Sequence, residues 1–547
     1  DILQRWRFAM MQLEIPVVEP TTFLSSPLAS IRHRRTKPTA VSSGPAAEWP
    51  QRASFRHSSR GHGVLAVLAG TVLCSAPSGR CQRRAAAGGS DSQQKQAMVV
   101  GAGPAGLATA LMLAKKGWAV SVFERSSNPA AYDPGKGFMY LIDGRGQKCL
   151  RDLSPSLFER LVASAVAMGD AKIGVLTPKG LTERVNPIKD ADRKSYWIPR
   201  HAFVGYLLDE AKSCENIRLH LEADIEDITS DTHGFHIKTG EAVSSASLLV
   251  GADGYRSQVR EQLEIWDGKR GRYEVKTFDS PSAGLRYKVL TLPGEFELKT
   301  PKGVEAFSSD GFYAIRGVSS SKSKQKLGMI PVSQEFGART ANLITYEDDE
   351  VWEADTAESF KAYAEDQWPH FPVPDLVSQE ELARFAANRG GRFPKPQYCP
   401  TATWSQEGGS AVLLGDALHS LPPDIGQGVN SALEDVTVLE TCLDSASLGE
   451  AVAEFGKKRM PDVEALIKIV RVAAPFQYSQ APWRGRLWNV SFLSRLLLNK
   501  VLPSVFDLPL FLLLQRSEMS YREVWSKGSR GARRASTLAL VAVGMIF

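Results

Sequence analysis

The chain has 547 residues, of which 43% are hydrophobic and 23% charged, and its formal net charge is +6 at pH 7. A chain of this length can bury a large core and is expected to form more than one domain. The positive charge is concentrated at the N-terminal end: residues 1–95 hold 13 Lys and Arg against 5 Asp and Glu, whereas the remainder holds 53 against 55. No nucleic-acid partner is therefore predicted. The six cysteines lack metal-ligand spacing, so no metal site is predicted either.

Residues 1–95 have the composition of a targeting segment. They are rich in Ser, Ala, Pro and Arg, and they contain a short apolar run, Val64–Ala76, between basic flanks. This run is too short to span a bilayer, and the pattern is typical of an organelle presequence. We predict a largely disordered presequence over 1–95, with a plastid favoured over a mitochondrion. An ordinary disordered tail is the alternative.

The first motif is AMVVGAGPAGLATALMLAKKGWAVSVFERS, which begins at Ala97. It predicts a buried strand, a G-x-G-x-x-G turn, a helix that ends near Gly117, and a second buried strand that ends on an acid. This is the pattern of a dinucleotide-binding βαβ unit, in which the helix N-terminus binds the pyrophosphate and the acid binds a ribose. The residues predicted to line the nucleotide are Gly101, Gly103, Pro104, Ala105, Gly106, Glu124 and Arg125.

Two later stretches break apolar strands in a similar way. LLVGADGYRSQVR, residues 248–260, ends its strand at Asp253-Gly254. LLGDALHSLPPDIGQGVNSALED, residues 413–435, places Asp416 directly behind a buried strand, where an unpaired carboxylate would be costly. The glycines that follow would let the backbone approach a ligand closely, and a helix beginning near Asn430 would direct its dipole at that ligand.

In this order, the three motifs resemble the fingerprints of the single-component FAD-dependent aromatic monooxygenases. The resemblance extends to the kynurenine 3-monooxygenases over most of the chain from Ala97 onward. It implies an α/β fold: a Rossmann-like FAD-binding domain of the glutathione-reductase type, interrupted by a mostly antiparallel substrate sheet and followed by C-terminal helices. The further cofactor-binding residues that it implies are Leu141, Arg200, Asp253, Asp416, Gly426, Gly428, Val429 and Asn430. Pro423 would lie at the flavin face without a chemical role, and His419 would be structural.

The domain boundaries follow from the positions of these motifs. The FAD-binding domain is predicted over 96–275 and 400–445, and the substrate sheet over 276–399. Strand-like alternation in GLRYKVLTLP and FYAIRG supports that sheet. The C-terminal helical region is predicted over 446–547.

The resemblance implies a monooxygenase that uses NAD(P)H and O₂. A C4a-hydroperoxyflavin would hydroxylate an aromatic substrate or epoxidise an alkene. The chain has no second dinucleotide motif, so NADPH or NADH would act as a co-substrate without a Rossmann domain of its own. By rough alignment, the relatives' polar substrate ligands become Lys172, Ala473 and Phe511, which makes kynurenine a doubtful substrate. Two alternatives stay open: a flavin-dependent isoprenoid reductase and a non-catalytic membrane-associated flavoprotein.

The C-terminal region contains two apolar runs. Val501–Leu514 is interrupted by two prolines and suits a buried or interfacial helix. Thr537–Phe547 follows several basic residues and could be part of a membrane anchor. We therefore predict membrane association through this region. The sequence does not predict an oligomeric state.

Overall fold

The computed structural model describes residues 94–133, 137–169, 171–184, 194–269, 271–318, 326–478 and 481–546. The predicted presequence lies outside them except for its last two residues, so the targeting signal and the organelle stay predictions. The described strands, in chain order, are β1 (Gln96–Val100), β2 (Ala119–Phe123), β3 (Met139–Ile142), β4 (Val166–Ala167), β5 (Ile173–Thr177), β6 (Gly180–Arg184), β7 (Tyr196–Pro199), β8 (Ile217–His220), β9 (Asp227–Asp231), β10 (Gly234–Thr239), β11 (Ala242–Ala246), β12 (Leu248–Gly251), β13 (Lys276–Thr277), β14 (Arg286–Pro293), β15 (Phe296–Thr300), β16 (Gly303–Phe307), β17 (Phe312–Arg316), β18 (Lys326–Met329), β19 (Ala338–Thr345), β20 (Gly391–Arg392), β21 (Gln397–Tyr398), β22 (Thr403–Gln406), β23 (Gly409–Leu413) and β24 (His419–Ser420).

The α-helices are interspersed with these strands and dominate the C-terminal region. In chain order they are α1 (Pro104–Lys115), α2 (Gly144–Leu153), α3 (Pro155–Ser164), α4 (Arg200–Ser213), α5 (Gln258–Asp267), α6 (Ala357–Gln367), α7 (Val373–Leu376), α8 (Gln379–Ala387), α9 (Gly428–Leu443), α10 (Leu448–Val470), α11 (Pro482–Val501), α12 (Leu510–Leu514) and α13 (Tyr521–Ile546).

A six-stranded sheet brings the three motifs together. Its strand order is β22-β23-β12-β1-β2-β8, and all neighbours are parallel except β22 and β23. Its central strands are apolar and buried, as expected for a parallel sheet covered on both faces. Each motif follows one of three adjacent strands, β1, β12 or β23. Because parallel strands end at the same edge, the three motifs converge there.

The second large sheet has seven strands in the order β20-β14-β19-β18-β17-β5-β6. All its strand pairs are antiparallel except β17 with β5. Its apolar side chains pack with those of α6, α7 and α8 in one hydrophobic cluster. The sheet also includes β5 and β6, which precede the predicted range of 276–399, because β17 pairs with β5 across a long sequence separation. The predicted fold class, a Rossmann-like domain interrupted by a mostly antiparallel sheet and followed by helices, is confirmed.

The C-terminal helices differ in detail from the prediction. The run 501–514 does not form one helix: α11 ends at Val501 and the short α12 begins at Leu510, because the prolines at 503 and 509 interrupt the backbone hydrogen bonding. The second apolar run lies in α13, which begins at Tyr521, as far as Ile546; Phe547 lies outside the described residues. Among the described residues, no helix combines the length and the apolar character needed to cross a membrane.

Candidate functional site

The glycine-rich turn after β1 is packed on one side and open on the other. Gly101 has a φ of +101°, and a Cβ atom there would lie 2.4 Å from the Ala252 carbonyl oxygen. A Cβ atom at Gly106 would lie 1.9 Å from the Gly101 carbonyl oxygen. At Gly103, by contrast, no atom lies within 4 Å of the Cβ position. The first and third glycines therefore let α1 approach the strands closely, while the second faces open space.

The N-terminus of α1 has the features of an anion site. Gly103 is its N-cap, no side chain caps the helix, and its first turn contains no acidic residue. Pro104 occupies the start of the helix, and Ala105 is buried behind it. The free N–H groups and the positive end of the helix dipole favour a phosphate at this position.

Glu124 lies beside this turn, at the end of β2. Its Oε2 accepts a hydrogen bond from the Ala102 N–H at 2.8 Å, and its Oε1 accepts one from the Ser126 N–H at 2.9 Å. A carboxylate oxygen can accept more than one hydrogen bond, so Glu124 can still accept ribose hydroxyls. The side chain is half-buried, whereas Arg125 is exposed.

Asp416 is accessible to water, although Gly415 and Ala417 on either side are buried. Protein surrounds the carboxyl on its other sides, and this partial desolvation raises its pKa. The positive field of His419 opposes the rise and Asp435 adds to it. An accessible carboxylate in these surroundings can accept hydrogen bonds from a ligand, and sugar hydroxyls are suitable donors.

Tyr140 connects Asp416 with another predicted site residue. Burial raises the pKa of Tyr140, the nearby Arg200 guanidinium lowers it, and the nearby Asp416 carboxylate raises it further. Arg200 also hydrogen-bonds to the Tyr140 side chain and lies at the start of α4. The fold therefore brings Arg200 and Asp416 close to the same side chain, that of Tyr140, which the motifs did not indicate.

The loop after Asp416 leads to a second uncapped helix. Helix α9 begins at Gly428, two residues earlier than predicted, with no side-chain cap and no acid in its first turn. Gly426 has a φ of +62°, and the Leu141 side chain lies 3.6 Å from its Cβ position. Val429 is half-buried in the first turn. The N-terminus of α9 is thus free to face an electron-rich ring.

The Asn430 side chain is engaged with the protein. Its Nδ2 donates to the carbonyl oxygens of Leu141, at 2.7 Å, and Gly426, at 2.9 Å. Its Oδ1 accepts from the Asp143 N–H at 2.9 Å. The side chain therefore holds the third motif against β3, which leaves the backbone N–H in the first turn of α9 for the predicted cofactor contact.

A buried network of charged side chains supports the third motif. The sequence motifs did not predict this network. The Oδ2 of Asp435 accepts hydrogen bonds from the Gly415 N–H at 2.8 Å and lies 2.9 Å from His419 Nε2. Its Oδ1 accepts from Arg459 Nε at 2.6 Å. Burial would raise the pKa of Asp435, but His419 and Arg459 outweigh burial and hold it below its usual value. The signal available in the sequence was an acid on the buried face of a helix.

The second motif is hydrogen-bonded to the third. Asp253 accepts hydrogen bonds from Ser257 Oγ at 2.6 Å and from the Val259 N–H at 3.2 Å, so it fixes the turn before α5. Arg260 is buried and donates to the Ala417 carbonyl oxygen at 2.8 Å. This bond positions the residue next to Asp416.

The predicted substrate residues lie in different surroundings. Ala473 is buried in a hydrophobic cluster that contains Ile425, from the third motif, and three leucines of α12. Phe511, also in α12, is half-buried, and Pro423 is exposed. Lys172 is exposed at the start of β5, where its carbonyl oxygen accepts from the Phe312 N–H at 2.7 Å. Ala473 and the helix that carries Phe511 are thus near the third motif, whereas Lys172 directly precedes β5 of the seven-stranded sheet.

These residues fit a dinucleotide that carries a flavin. An open glycine at one uncapped helix N-terminus suits a pyrophosphate, an accessible acid suits a ribityl chain, and a second uncapped helix suits the ring. The fold and this arrangement define a flavoprotein of the Rossmann-like class.

Comparison with known proteins identifies the family. Residues 94–358 and 396–458 match the FAD binding domain family, FAD_binding_3. The kynurenine 3-monooxygenase of Salinispora arenicola is 26% identical over 473 residues, which cover 83% of this chain and 95% of that protein. That of Cryptococcus neoformans is 27% identical over 420 residues, covering 70% of this chain and 78% of that protein. The chain belongs to the FAD-dependent aromatic monooxygenase family, as the motifs predicted.

Two solved structures share the fold. Pseudomonas aeruginosa PqsL in complex with 2-aminobenzoylacetate has a TM-score of 0.51 and 19% identity, covering 73% of this chain and all of that one. A variant of Klebsiella pneumoniae HpxO complexed with FAD has a TM-score of 0.51 and 18% identity, covering 73% of this chain and 95% of that one. At these identities the similarity concerns the fold alone.

Proposed function

We propose that the protein hydroxylates an aromatic ring or epoxidises an alkene, with NAD(P)H as reductant and O₂ as oxidant. The observation that carries this proposal is the accessible Asp416 carboxylate at the end of β23, close to Tyr140 and to the Arg200 side chain that hydrogen-bonds to Tyr140. Asp416 would hold the ribityl chain, and the N-termini of α1 and α9 would hold the pyrophosphate and the ring. Bound FAD would supply the redox and oxygen chemistry, and the protein would supply orientation and a dry cavity.

The substrate is proposed to differ from kynurenine. Ala473 and three α12 leucines pack in one apolar cluster with Ile425, so the protein next to the third motif is apolar. Lys172, the one cationic candidate, is exposed just before β5 and would act only as a point charge. Apolar surroundings favour a substrate that is less polar than an amino acid, because a buried carboxylate without a bidentate partner would be costly.

Oxygen-18 labelling tests the proposed reaction. Purified holoprotein would be incubated with NADPH or NADH, labelled O₂ and a library of aromatic and alkene compounds, and the products would be analysed by mass spectrometry. A monooxygenase incorporates one labelled atom into the product. An isoprenoid reductase would give reduced, unlabelled product under nitrogen, and a non-catalytic flavoprotein would give no product. Either outcome would contradict the proposal.

We further propose that α11 binds the surface of an anionic membrane. All of α11 is described, and none of its residues is buried. One face carries six exposed apolar side chains at helical spacing: Trp483, Leu487, Val490, Leu493, Leu497 and Val501. The helix contains four basic residues and no acidic one: Arg484, Arg495 and Lys500 flank the apolar face, and Arg486 lies within it. An apolar face with cationic flanks is typical of a helix that lies in a lipid interface, where a long arginine side chain can extend to the lipid headgroups.

Vesicle co-sedimentation tests this surface. The holoprotein should sediment with phosphatidylserine-containing vesicles and much less with phosphatidylcholine alone. Leu497→Glu should weaken binding by about tenfold or more, because it places a charge in the apolar face. Asn489→Glu adds the same charge at an exposed polar position and should have a smaller effect. Equal effects of the two variants, or dimerisation through α11 without lipid binding, would contradict the membrane proposal.

A further inference from the structure

Asp424 is a buried carboxylate in the loop that carries Pro423, and it has no role in the function proposed above. Only 7% of its surface is exposed. The Ser282 hydroxyl donates to its Oδ2, and the Gln477 side-chain amide donates to its backbone carbonyl at 2.7 Å. Three separate parts of the chain therefore meet at this residue: the third motif, the segment before β14 and the segment after α10.

A chain of hydroxyl groups leads from Asp424 toward solvent. Ser282 is fully buried, and its Oγ lies 3.4 Å from the Oγ of Ser280. Ser280 lines an open surface cavity of about 380 Å³, together with Asp279, Phe476 and Arg484. A cavity of this size has room for several water molecules. Oxygen atoms that can accept and donate protons thus connect the loop of the third motif with water.

The surroundings of Asp424 make it able to exchange protons near neutral pH. Burial raises its pKa from 3.8 to about 6, although hydrogen bonds from Ser282, Tyr478 and Gln477 oppose the rise. Groups with a pKa near the working pH transfer protons in both directions. The titratable and charged groups on the elements around it are Tyr478, whose pKa burial raises, and Lys326, whose Nζ donates to the Gln477 carbonyl oxygen. At the cavity they are Tyr346, Arg484 and Asp279, the last of which is paired with Lys395. The Nε of Arg471 also donates to the Asp279 carbonyl oxygen.

The proposed reaction needs such a group, because it takes up one proton per turnover. NAD(P)H supplies a hydride, one atom of O₂ enters the product, and the other leaves as water once the hydride and one proton from solution have been added. A covered site that excludes water must still receive that proton.

We propose that Ser280, Ser282 and Asp424 form the route by which a proton enters the flavin site from the surface cavity. This inference rests on the proposed function. Water in the cavity gives a proton to Ser280 while the proton of Ser280 passes to Ser282 and that of Ser282 passes to the Asp424 carboxylate. Asp424 then releases a proton into the flavin site and returns to the carboxylate form. Each transfer breaks one O–H bond and forms another, and no electrons are exchanged with a cofactor. All three residues therefore act as relay residues, and none of them reacts with the substrate.

Flavin reoxidation tests the route without a substrate. Holoprotein reduced anaerobically with dithionite would be mixed with aerated buffer between about pH 5 and 9, and the return of oxidised flavin absorbance would be followed. This half-reaction yields hydrogen peroxide and takes up one proton for each reduced flavin anion. The wild-type rate should change with pH around 6. Asp424→Asn should remove that dependence and slow reoxidation at neutral pH by about fivefold or more.

Serine variants separate a relay from a structural role. Ser280→Ala and Ser282→Ala should slow reoxidation and enlarge the solvent deuterium isotope effect, whereas Ser280→Thr keeps the hydroxyl and should behave as wild type. Ser213→Ala, which removes a hydroxyl from the exposed end of α4, is the matched control. Wild-type profiles in Asp424→Asn and Ser280→Ala would overturn the route, as would slower rates with an unchanged pH profile.

The outcomes for the route and for the proposed function are distinguishable. Reoxidation needs no oxygen transfer to a substrate, so an unlabelled product in the oxygen-18 experiment would contradict the monooxygenase proposal and leave the route standing. A preparation that cannot bind FAD would overturn both.

Discussion

Alanine substitutions at Gly103 and Gly106 separate the packing of the glycine turn from its binding of a cofactor. Gly103 has a φ of −77°, which alanine adopts without strain, and its Cβ would enter open space. Gly103→Ala should therefore change the stability of the apoprotein by no more than about 0.5 kcal/mol. The added methyl group would occupy the space that a pyrophosphate needs, so FAD affinity should fall by about tenfold or more, or about 1.4 kcal/mol.

Gly106→Ala should act on folding as well. Its Cβ would lie 1.9 Å from the Gly101 carbonyl oxygen, so α1 would have to move away from the sheet. We expect a loss of about 3 kcal/mol or more in the free energy of unfolding, together with loss of FAD binding. Urea unfolding of the apoproteins and titration of flavin fluorescence measure the two effects. Unchanged FAD affinity in Gly103→Ala, or wild-type stability in Gly106→Ala, would refute this interpretation of the turn.

Three further predictions concern buried charges. Asp435→Asn should destabilise the protein by about 3 to 5 kcal/mol in urea unfolding, because it removes a carboxylate partner from the buried Arg459; a loss below 1 kcal/mol would argue against the network. Arg260→Met should weaken FAD binding more than it lowers the free energy of unfolding, since the lost hydrogen bond holds the Ala417 carbonyl beside Asp416. Equal FAD affinity in Arg260→Met and wild type would argue against a role of this hydrogen bond in positioning Asp416. The pKa of Asp424 is raised from 3.8 to about 6 in the folded protein, so between these pH values the folded state retains a proton that the unfolded state releases. The free energy of unfolding should therefore fall by about 3 kcal/mol as the pH rises from about 4 to 6. Asp424→Asn should abolish that fall, and an unchanged pH dependence would contradict the pKa shift.

The sequence predicted the parts of the site that depend on local chemistry. Strand β2, Ala119–Phe123, is followed directly by the predicted acid, Glu124, and Gly117 has the positive φ expected after a helix. The turn after β1 requires glycine because its backbone has a positive φ and because neighbouring backbone atoms leave no room for a Cβ atom. That requirement can be recognised from a few consecutive residues of the sequence. The convergence of the three motifs was also predictable, because parallel buried strands end at the same edge of a sheet.

Features that depend on distant pairing were not predicted. The seven-stranded sheet takes in β5 and β6 because β17 pairs with β5, and no local pattern shows which strands will pair. Asp435 lies in α9, but its partner Arg459 lies in α10 and its partner Gly415 lies in the segment between β23 and α9. Its role therefore became visible only in the fold. The break between α11 and α12 could have been inferred, since two prolines mark it.

The flavin content of Asp416→Ala tests the placement of the cofactor most directly. Purified wild-type protein should bind one FAD per chain, and Asp416→Ala should lose most of it while its circular dichroism spectrum and urea midpoint stay close to those of wild type. Asp227→Ala, at an exposed acid on β9, should keep its flavin. Full FAD occupancy in Asp416→Ala would contradict the proposal that this carboxylate holds the ribityl chain.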